Sequence, residues 1–399
     1  MRILISNKYY YPRGGADIYS IELEKLLKEK GHEVAFFSMQ QPLNLKSEFS
    51  KYFPTEIDFD HKKPLGLIRF IVRPFGSISV RKRFTRLLKN FKPDILHLNN
   101  IHTQLSPILA VIASKHNIPV IWTLHDHKVL CPRYDCMRDG KPCELCFKNK
   151  FNALRYKCMK NSRVASFIAY LEALVWNKKT LSRYTSRFIC PSTFLANNMI
   201  KGGFNSNQLI ILPNFINDKK LISQPSAKEN HYCYVGRLST EKGIETLLRA
   251  ANELPQYELK VIGTGPLESE LKAKYEKAHI KFLGFKSWED FKQILETSQC
   301  MVIPSECYEN NPLSIIESLC LGTPVIGTNM GGIPELINPG VNGFTFESGN
   351  VSDLRNQIDH LFQISGNFDY IEIAKRARAK FNSENYYIEL IKIYNGVLN

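Results

Sequence analysis

Short apolar runs that read as buried strands each lead into a turn and then a helix-period stretch, and the pattern occurs twice along the chain. The first series of runs is Arg2–Ser6, His32–Ser38, Pro93–Asn99, Ile118–Leu124, Ser186–Cys190 and Gln208–Leu212. The second is His231–Val235, Glu258–Ile262, Lys281–Gly284, Gln299–Pro304 and Val325-Ile326. Helices are predicted at about Ala16–Lys30, stopped by Gly31, at Thr103–His116, Arg163–Arg183, from Thr193 to Gly202, and at Ile244–Glu253. The region Val351–Asn399 reads as helical throughout. Strands alternating with helices build parallel sheets, so the fold class is α/β. A chain of 399 residues exceeds one typical core and predicts two domains. The polar stretch Ile216–Asn230 falls between the two series and is the expected linker.

Composition narrows the class. Apolar residues at 44% and charged residues at 23% are those of a water-soluble globular chain. No uncharged apolar run reaches about 18 residues, so no transmembrane helix is expected. Met1–Ser6 lacks the apolar core and cleavage site of a signal peptide, which predicts a cytoplasmic location. The net charge of +15 is uneven: His61–Lys92 holds ten Lys or Arg and no acid, interleaved with Leu65, Leu67, Ile68, Phe70 and Ile71. Such a segment suits an anionic membrane surface or an anionic substrate, and also a solvated helix whose apolar side packs inward. An anionic leaflet attracts each nearby Lys or Arg by ~1 kcal/mol, which favours the membrane reading. Polynucleotide binding is the other reading of a basic chain, but no recognisable nucleic-acid motif accompanies the charge.

The stretch Ser305–Gly332 is the densest in chemistry. Glu309 and Glu317 lie eight residues apart around Asn310-Asn311-Pro312 and an apolar-periodic run. Asn followed by Pro is a helix-start signal. It puts Glu309 in a loop at a strand's carboxyl end, where open α/β sheets bind ligands, and Glu317 in the second helical turn. The first backbone N–H groups of that helix, at Leu313 and Ser314, form an anion site. A carboxylate at Glu317 suits two vicinal hydroxyls such as a ribose's, and Glu309 with Asn310 and Asn311 could face a third group. An acid, a helix start and an acid in this order describe a nucleoside diphosphate with something attached. The same spacing also fits an exposed acidic loop and a solvated helix face.

Other candidates fall at equivalent places. After the first strand the chain reads P-R-G-G-A-D, and Gly14 and Gly15 allow a ligand close to the backbone. His125, in His125-Asp126-His127, ends a strand and is placed to enter a cleft, though a locally satisfied histidine fits equally. Arg237 and Lys242 flank the turn after His231–Val235; two cations there suit a diphosphate, or are ordinary surface charges. Cys131, Cys143, Cys146 and Cys158 have the spacing C-x11-C-x2-C-x11-C. In a cytoplasmic protein such a set suggests structural zinc, with free or redox-active thiols as the alternatives. Asp58-Phe59-Asp60 matches the D-x-D of metal-dependent transferases literally, but precedes the basic segment rather than ending a nucleotide-binding strand, and is taken as chance.

Taken together these motifs resemble the retaining glycosyltransferases of family 4, which have the GT-B fold. The resemblance is carried by the Glu309/Glu317 pair, G-R-L-S-T-E-K-G at Gly236–Gly243, Gly14-Gly15 and G-G-I-P-E at Gly331–Glu335, and it spans nearly the whole chain. It implies two Rossmann-like domains facing a cleft: an acceptor domain at 1–213 with a cysteine-rich insertion at 131–158, a linker at 214–230, and a donor domain at 231–382. A last helix at 383–399 is implied to cross back onto the first domain. The resemblance further implies that Arg237 and Lys242 neutralise the leaving diphosphate in place of a catalytic metal. Glu317 would hold the ribose, Glu309 with Asn310 and Asn311 the donor sugar, and His125 would lie near that sugar. Gly14 and Gly15 would let the first loop close over the phosphates, and backbone near Gly284, Phe285 and Lys286 would select the base. Retention without an enzymic nucleophile implies front-face attack, the donor phosphate taking the acceptor proton. The cysteines resemble a subset of the family found in polysaccharide assembly. The expected partners are a UDP- or GDP-sugar and a lipid-linked glycan at the inner face of the cytoplasmic membrane, with no nucleic acid. A sugar-nucleotide epimerase of the same fold is the enzymatic alternative, and a non-enzymatic nucleic-acid binder the alternative of another class.

Overall fold

The computed structural model describes residues 1–56, 71–221 and 226–398. Asp58-Phe59-Asp60 and the first part of the basic segment, residues 61–70, lie outside the described residues. The chain divides into two units. The first comprises Met1–Cys136, Cys143–Pro213 and Tyr386–Asn399; the second comprises Met137–Pro142 and Asn214–Asn385.

The first unit is built on β1 (Arg2–Ser6), β2 (Glu33–Phe37), β3 (Ile95–Leu98), β4 (Val120–Thr123), β7 (Arg187–Cys190) and β8 (Leu209–Ile211). A short antiparallel hairpin, β5 (Met137–Arg138) with β6 (Lys141–Pro142), interrupts the series and was not foreseen. The six main strands pair in parallel in the order β2-β1-β3-β4-β7-β8. β3 and β4 are buried along their full length, which is why they read as unbroken apolar runs. Strand order reverses between β1 and β3, and such a switch point opens a crevice at the strands' carboxyl ends.

Two predicted helices shorten. The one expected from Thr103 begins at Ile108, because Thr103 and Ser106 take left-handed backbone (φ 65° and 72°) that no α-helix accepts. The one expected over Arg163–Arg183 breaks into Arg163–Val175 and Lys178–Tyr184. Asn177 makes the break, its side chain capping the Thr180 N–H.

The second unit carries β9 (His231–Val235), β10 (Glu258–Ile262), β11 (Ile280–Gly284), β12 (Met301–Ile303), β13 (Val325–Thr328) and β14 (Gly343–Phe346). All pairings are parallel and the order is β11-β10-β9-β12-β13-β14. Renumbered from one, this is 3-2-1-4-5-6, the doubly wound nucleotide-binding order, with its switch point between β9 and β12. Tyr232, Val261, Val302, Ile315, Ile316 and Val325 contribute to one buried core beneath it. The C-terminal region is helical, as expected, in three pieces: Val351–Gln363, Tyr370–Phe381 and Ser383–Leu398.

From Tyr386 onward the last helix belongs to the first unit. Its buried side, Tyr386, Leu390 and Tyr394, repeats every four residues, as one helical face requires. Tyr386 hydroxyl bonds that of Tyr19, Tyr387 hydroxyl lies 2.9 Å from His32 Nε2, and Tyr394 hydroxyl lies 2.5 Å from His97 Nδ1. His97 Nε2 meets Thr123 Oγ1 at 2.8 Å, so one fully buried imidazole joins β3, β4 and the helix. His97 is thus a structural histidine. Burial pushes its pKa down to about 3.

Because the folded value lies below the unfolded one, this contribution is complete above about pH 6.5 and is lost as pH falls toward 3. Between pH 6.5 and 5 the loss is about 2 kcal/mol from this group. The thermal midpoint is therefore expected to fall on acidification from pH 7 to 5, and His97→Gln, which has no proton to take up, should flatten that slope in pH-dependent calorimetry.

Candidate active site

At the second unit's switch point, two loops meet. The loop after β9 carries Gly236, Arg237 and Lys242; the loop after β12 carries Ser305 to Pro312. A backbone and a side-chain bond join them: Glu306 N–H donates to the Glu241 carbonyl at 3.0 Å, and Thr246 Oγ1 to Glu306 Oε1 at 2.7 Å. Gly243 sits at φ +62°, where a Cβ would stand 1.9 Å from the Pro304 carbonyl oxygen. Only glycine lets the two loops approach this closely.

Across this junction Lys242 Nζ donates to Glu309 Oε1 at 2.5 Å, and Ser305 Oγ donates to the same oxygen at 2.8 Å. The side chains are 31% and 18% exposed, so water screens the pair only in part. Burial opposes the charge on each, but each partner more than offsets it. Lys242 is held above, and Glu309 below, its ordinary value. Both are therefore ionised, and their mutual stabilisation is present from above the ordinary carboxylate value of 4.5 to below the ordinary lysine value of 10.5. Lys242 has three N–H donors, so it can keep Glu309 and still reach an anion.

The G-G-I-P-E segment fixes the Glu309 backbone from the other side. Gly332 N–H donates to the Glu309 carbonyl at 2.7 Å. Gly331, at φ +68°, lies so close that a Cβ would stand 2.4 Å from that carbonyl oxygen. The helix after the loop runs Leu313–Cys320, with Pro312 at the cap position. Leu313 and Ser314 supply its first N–H groups, and Glu317 is half-buried in its second turn. The expected asparagine cap is absent. Asn311 Oδ1 instead accepts from the Asn214 backbone N–H at 2.8 Å, and the Asn311 carbonyl from Asn214 Nδ2 at 2.7 Å. Asn311 thus anchors the segment entering the unit. Asn310 is 6% exposed and its Oδ1 has no hydrogen-bond partner. A buried unpaired acceptor beside a helix start is the kind of group a ligand satisfies. Arg237 is exposed, as is Phe285, which follows the left-handed Gly284 at the end of β11.

In the first unit, the loop after β1 leads into the helix Gly15–Glu29, whose N-cap is Gly14. Gly14 backbone is extended and a Cβ there would meet nothing nearer than Asp17 at 3.8 Å, so the protein itself does not demand glycine. Sequence reasoning missed the polar network beneath this loop. Asn7 Nδ2 donates to Asp17 Oδ1 at 2.8 Å, and Asn7 Oδ1 accepts from Asn100 N–H at 3.0 Å across the switch point. Burial lowers the Lys8 pKa, with Asp126 and Asp17 opposing it. The available signal was an Asp in the first turn of a helix following a polar strand end.

His125, after β4, sets Nε2 3.0 Å from Asn99 Oδ1 and packs edge-to-face on Tyr19 at 4.9 Å. Burial pushes its pKa down to about 3, so at neutral pH it is an uncharged donor or acceptor. The cysteines gather differently from their spacing. Cys136 and Cys146 thiols hydrogen-bond to Cys131 and hold it below the ordinary thiol value, while Cys143 is half-buried and joins through its N–H to the Cys136 carbonyl at 2.6 Å. Cys158 Sγ lies 4.0 Å from the Asn152 carbonyl. Among the described residues no three His, Cys, Asp or Glu side chains are arranged to hold a metal ion.

The pair makes a stability prediction. Lys242→Met leaves the Glu309 carboxylate partly buried and unpaired, which should cost about 1–3 kcal/mol in denaturant unfolding. Adding Glu309→Gln should restore part of that loss, and the coupling is the double-mutant-cycle term.

Residues 13–220 match the family model described as Glycosyltransferase Family 4, more than half the chain, and residues 216–380 match Glycosyl transferases group 1. A Klebsiella pneumoniae protein described as an uncharacterized 42.6 kDa protein in the cps region is 25% identical over 84% of this chain and 87% of its own length. The amylovoran biosynthesis glycosyltransferase AmsK of Erwinia amylovora is 31% identical over 38% of this chain and 40% of its own. Among solved structures, Anabaena HepE in complex with UDP superposes with a TM-score of 0.70 at 18% identity, over 99% of this chain and 100% of that one. That protein has also been solved with UDP-glucose. With two parallel α/β units and a family model matched over more than half its length, the chain has the GT-B fold and belongs to glycosyltransferase family 4.

Proposed function

We propose that this glycosyltransferase moves a sugar, with retained configuration and without a catalytic metal, from a nucleoside-diphosphate sugar to a hydroxyl of a lipid-linked glycan. The acceptor is a polysaccharide intermediate at the inner face of the cytoplasmic membrane. The observation that carries the donor assignment is the Lys242–Glu309 pair at the second unit's switch point.

In this reading the diphosphate lies at the start of the helix Leu313–Cys320, where backbone N–H groups and the helix dipole favour negative charge. As the sugar–oxygen bond breaks, charge grows on the leaving phosphate, and Arg237 and Lys242 supply the compensating cations. Glu309 orients Lys242 and faces the sugar with Asn310, whose Oδ1 accepts from it. Glu317 takes the ribose hydroxyls. The acceptor belongs to the first unit, which carries the neutral His125 and the Gly14-Gly15 loop. The acceptor hydroxyl attacks the face the diphosphate leaves, and its proton passes to the departing phosphate oxygen. HepE's complexes with UDP and UDP-glucose favour uracil as the base. AmsK's role in amylovoran biosynthesis supports a polysaccharide acceptor.

A thermal-shift panel of UDP, GDP, ADP, their sugar conjugates and a short oligonucleotide tests this. Ligand at about a hundred times its dissociation constant adds ~2.7 kcal/mol. One nucleoside diphosphate should give the shift, and Glu317→Ala should remove it. A response to the oligonucleotide alone would favour the nucleic-acid reading. Arg237→Ala is expected to lower kcat by roughly a hundredfold or more with the fold intact. An epimerase would instead isomerise the donor with no acceptor present.

A further inference from the structure

The helix Arg163–Val175 of the first unit is apolar on nearly every side. A helix of that kind is ordinarily buried all round. Here one face is buried, through Ser166, Ile168, Ala169 and Glu172, and the opposite face is not. Val164, Phe167, Leu171, Leu174 and Val175 are 67%, 47%, 36%, 44% and 45% exposed, and their spacing places them along one stripe. The patch continues past the helix. Phe151, 47% exposed, packs edge-on against Tyr170 at 5.7 Å. On another side, Trp176 Nε1 donates to the Pro74 carbonyl at 2.8 Å, which brings exposed Ile71, Val72 and Ile78 beside the helix. Exposed apolar side chains gathered along one face of a helix mark an interaction site.

Charge identifies the occupant. From Leu145 to Arg187 the chain has ten Lys or Arg and a single acid, Glu172. That acid points inward and is neutralised by Lys128 at 2.9 Å. Lys157, Lys160 and Arg163 at one end of the helix, and Lys178 and Lys179 just past the other, are exposed. An apolar stripe bracketed by cations at both ends, with no outward acid, is complementary to lipid headgroups of negative charge over hydrocarbon. Among the described residues no helix is long and apolar enough to cross a membrane, so contact would be in the interface plane.

We propose that the helix Arg163–Val175 docks the first unit onto an anionic bilayer surface, its apolar stripe entering the headgroup boundary and its flanking cations meeting the anionic lipids. This deepens the membrane part of the reading above, and moves the principal contact from the segment His61–Lys92 to this helix. It explains how an acceptor with a lipid tail could reach the enzyme without leaving its membrane.

The test is flotation of the full chain with vesicles of neutral phosphatidylcholine, alone or with about one-third phosphatidylglycerol. The protein should bind the anionic vesicles only, more weakly at high salt. Phe167→Glu/Leu171→Glu should weaken binding by about tenfold or more. Should that variant fold poorly, Lys157→Glu/Lys160→Glu/Lys178→Glu alters only exposed side chains and should weaken binding similarly. Wild-type binding by both variants would overturn the proposal, as would loss confined to reversal of Arg81, Lys82 and Arg86. A wild-type dimer that Phe167→Glu/Leu171→Glu makes monomeric, with no vesicle binding, would assign the stripe to a second copy and overturn it too. The thermal response to UDP is read on every variant without vesicles. A lost nucleotide response with intact flotation would fault the transferase reading and leave this one standing.

Discussion

The ion pair between Lys242 and Glu309 is the contact on which the site depends. It joins the loops after β9 and β12, the two strands between which the sheet order reverses. The crevice at such a reversal is where the backbones of neighbouring connections diverge to opposite faces of the sheet, leaving room for a ligand. Something must then hold the diverging loops in register. Here that is an ammonium and a carboxylate, backed by the Glu306–Glu241 backbone bond and by two glycines that let main chain touch main chain. In the proposed reading the same ammonium also meets the diphosphate, so the brace and the anion-binding group would be one residue.

The two units use one plan with different chemistry. In both, the loop beyond the central strand opens a helix, and polar side chains link it to the strand across the switch point. In the second unit the link is a charged pair. In the first it is Asn7, held between Asp17 and the Asn100 backbone. The first unit adds two hydrogen-bonded histidines beside its strand ends. His97 is committed to Tyr394 and Thr123, and His125 to Asn99, so both are kept uncharged by burial. A neutral imidazole suits a place where a sugar hydroxyl needs a hydrogen bond without added charge.

Much of this was legible in the sequence because parallel strands buried on both faces read as apolar runs, and because glycines in tight approaches cannot be replaced. Gly331 and Gly243 carried signal for that reason. The strand Gly343–Phe346 was missed: it is short, opens on glycine and is only partly buried. The helix Glu268–Tyr275 was missed because it buries only Leu271 and Tyr275 and is otherwise polar. Helix ends at Thr103 and Asn177 depended on backbone and cap geometry that periodicity does not report. Asn310-Asn311-Pro312 announced a helix start correctly, but not that Asn311 would serve Asn214. Chain separation grouped Cys131 with Cys143, Cys146 and Cys158; in the fold it is Cys136 and Cys146 that lie against Cys131.

The account turns on Lys242 serving the diphosphate and not merely the fold. Calorimetric titration of UDP and of uridine into wild type and Lys242→Met separates these roles. Uridine binding should be nearly unchanged, while UDP binding falls by about a hundredfold or more, because only UDP carries the charge that Lys242 meets. Equal losses for both ligands, or an undiminished UDP affinity, would contradict the account and leave the Lys242–Glu309 pair as a brace alone.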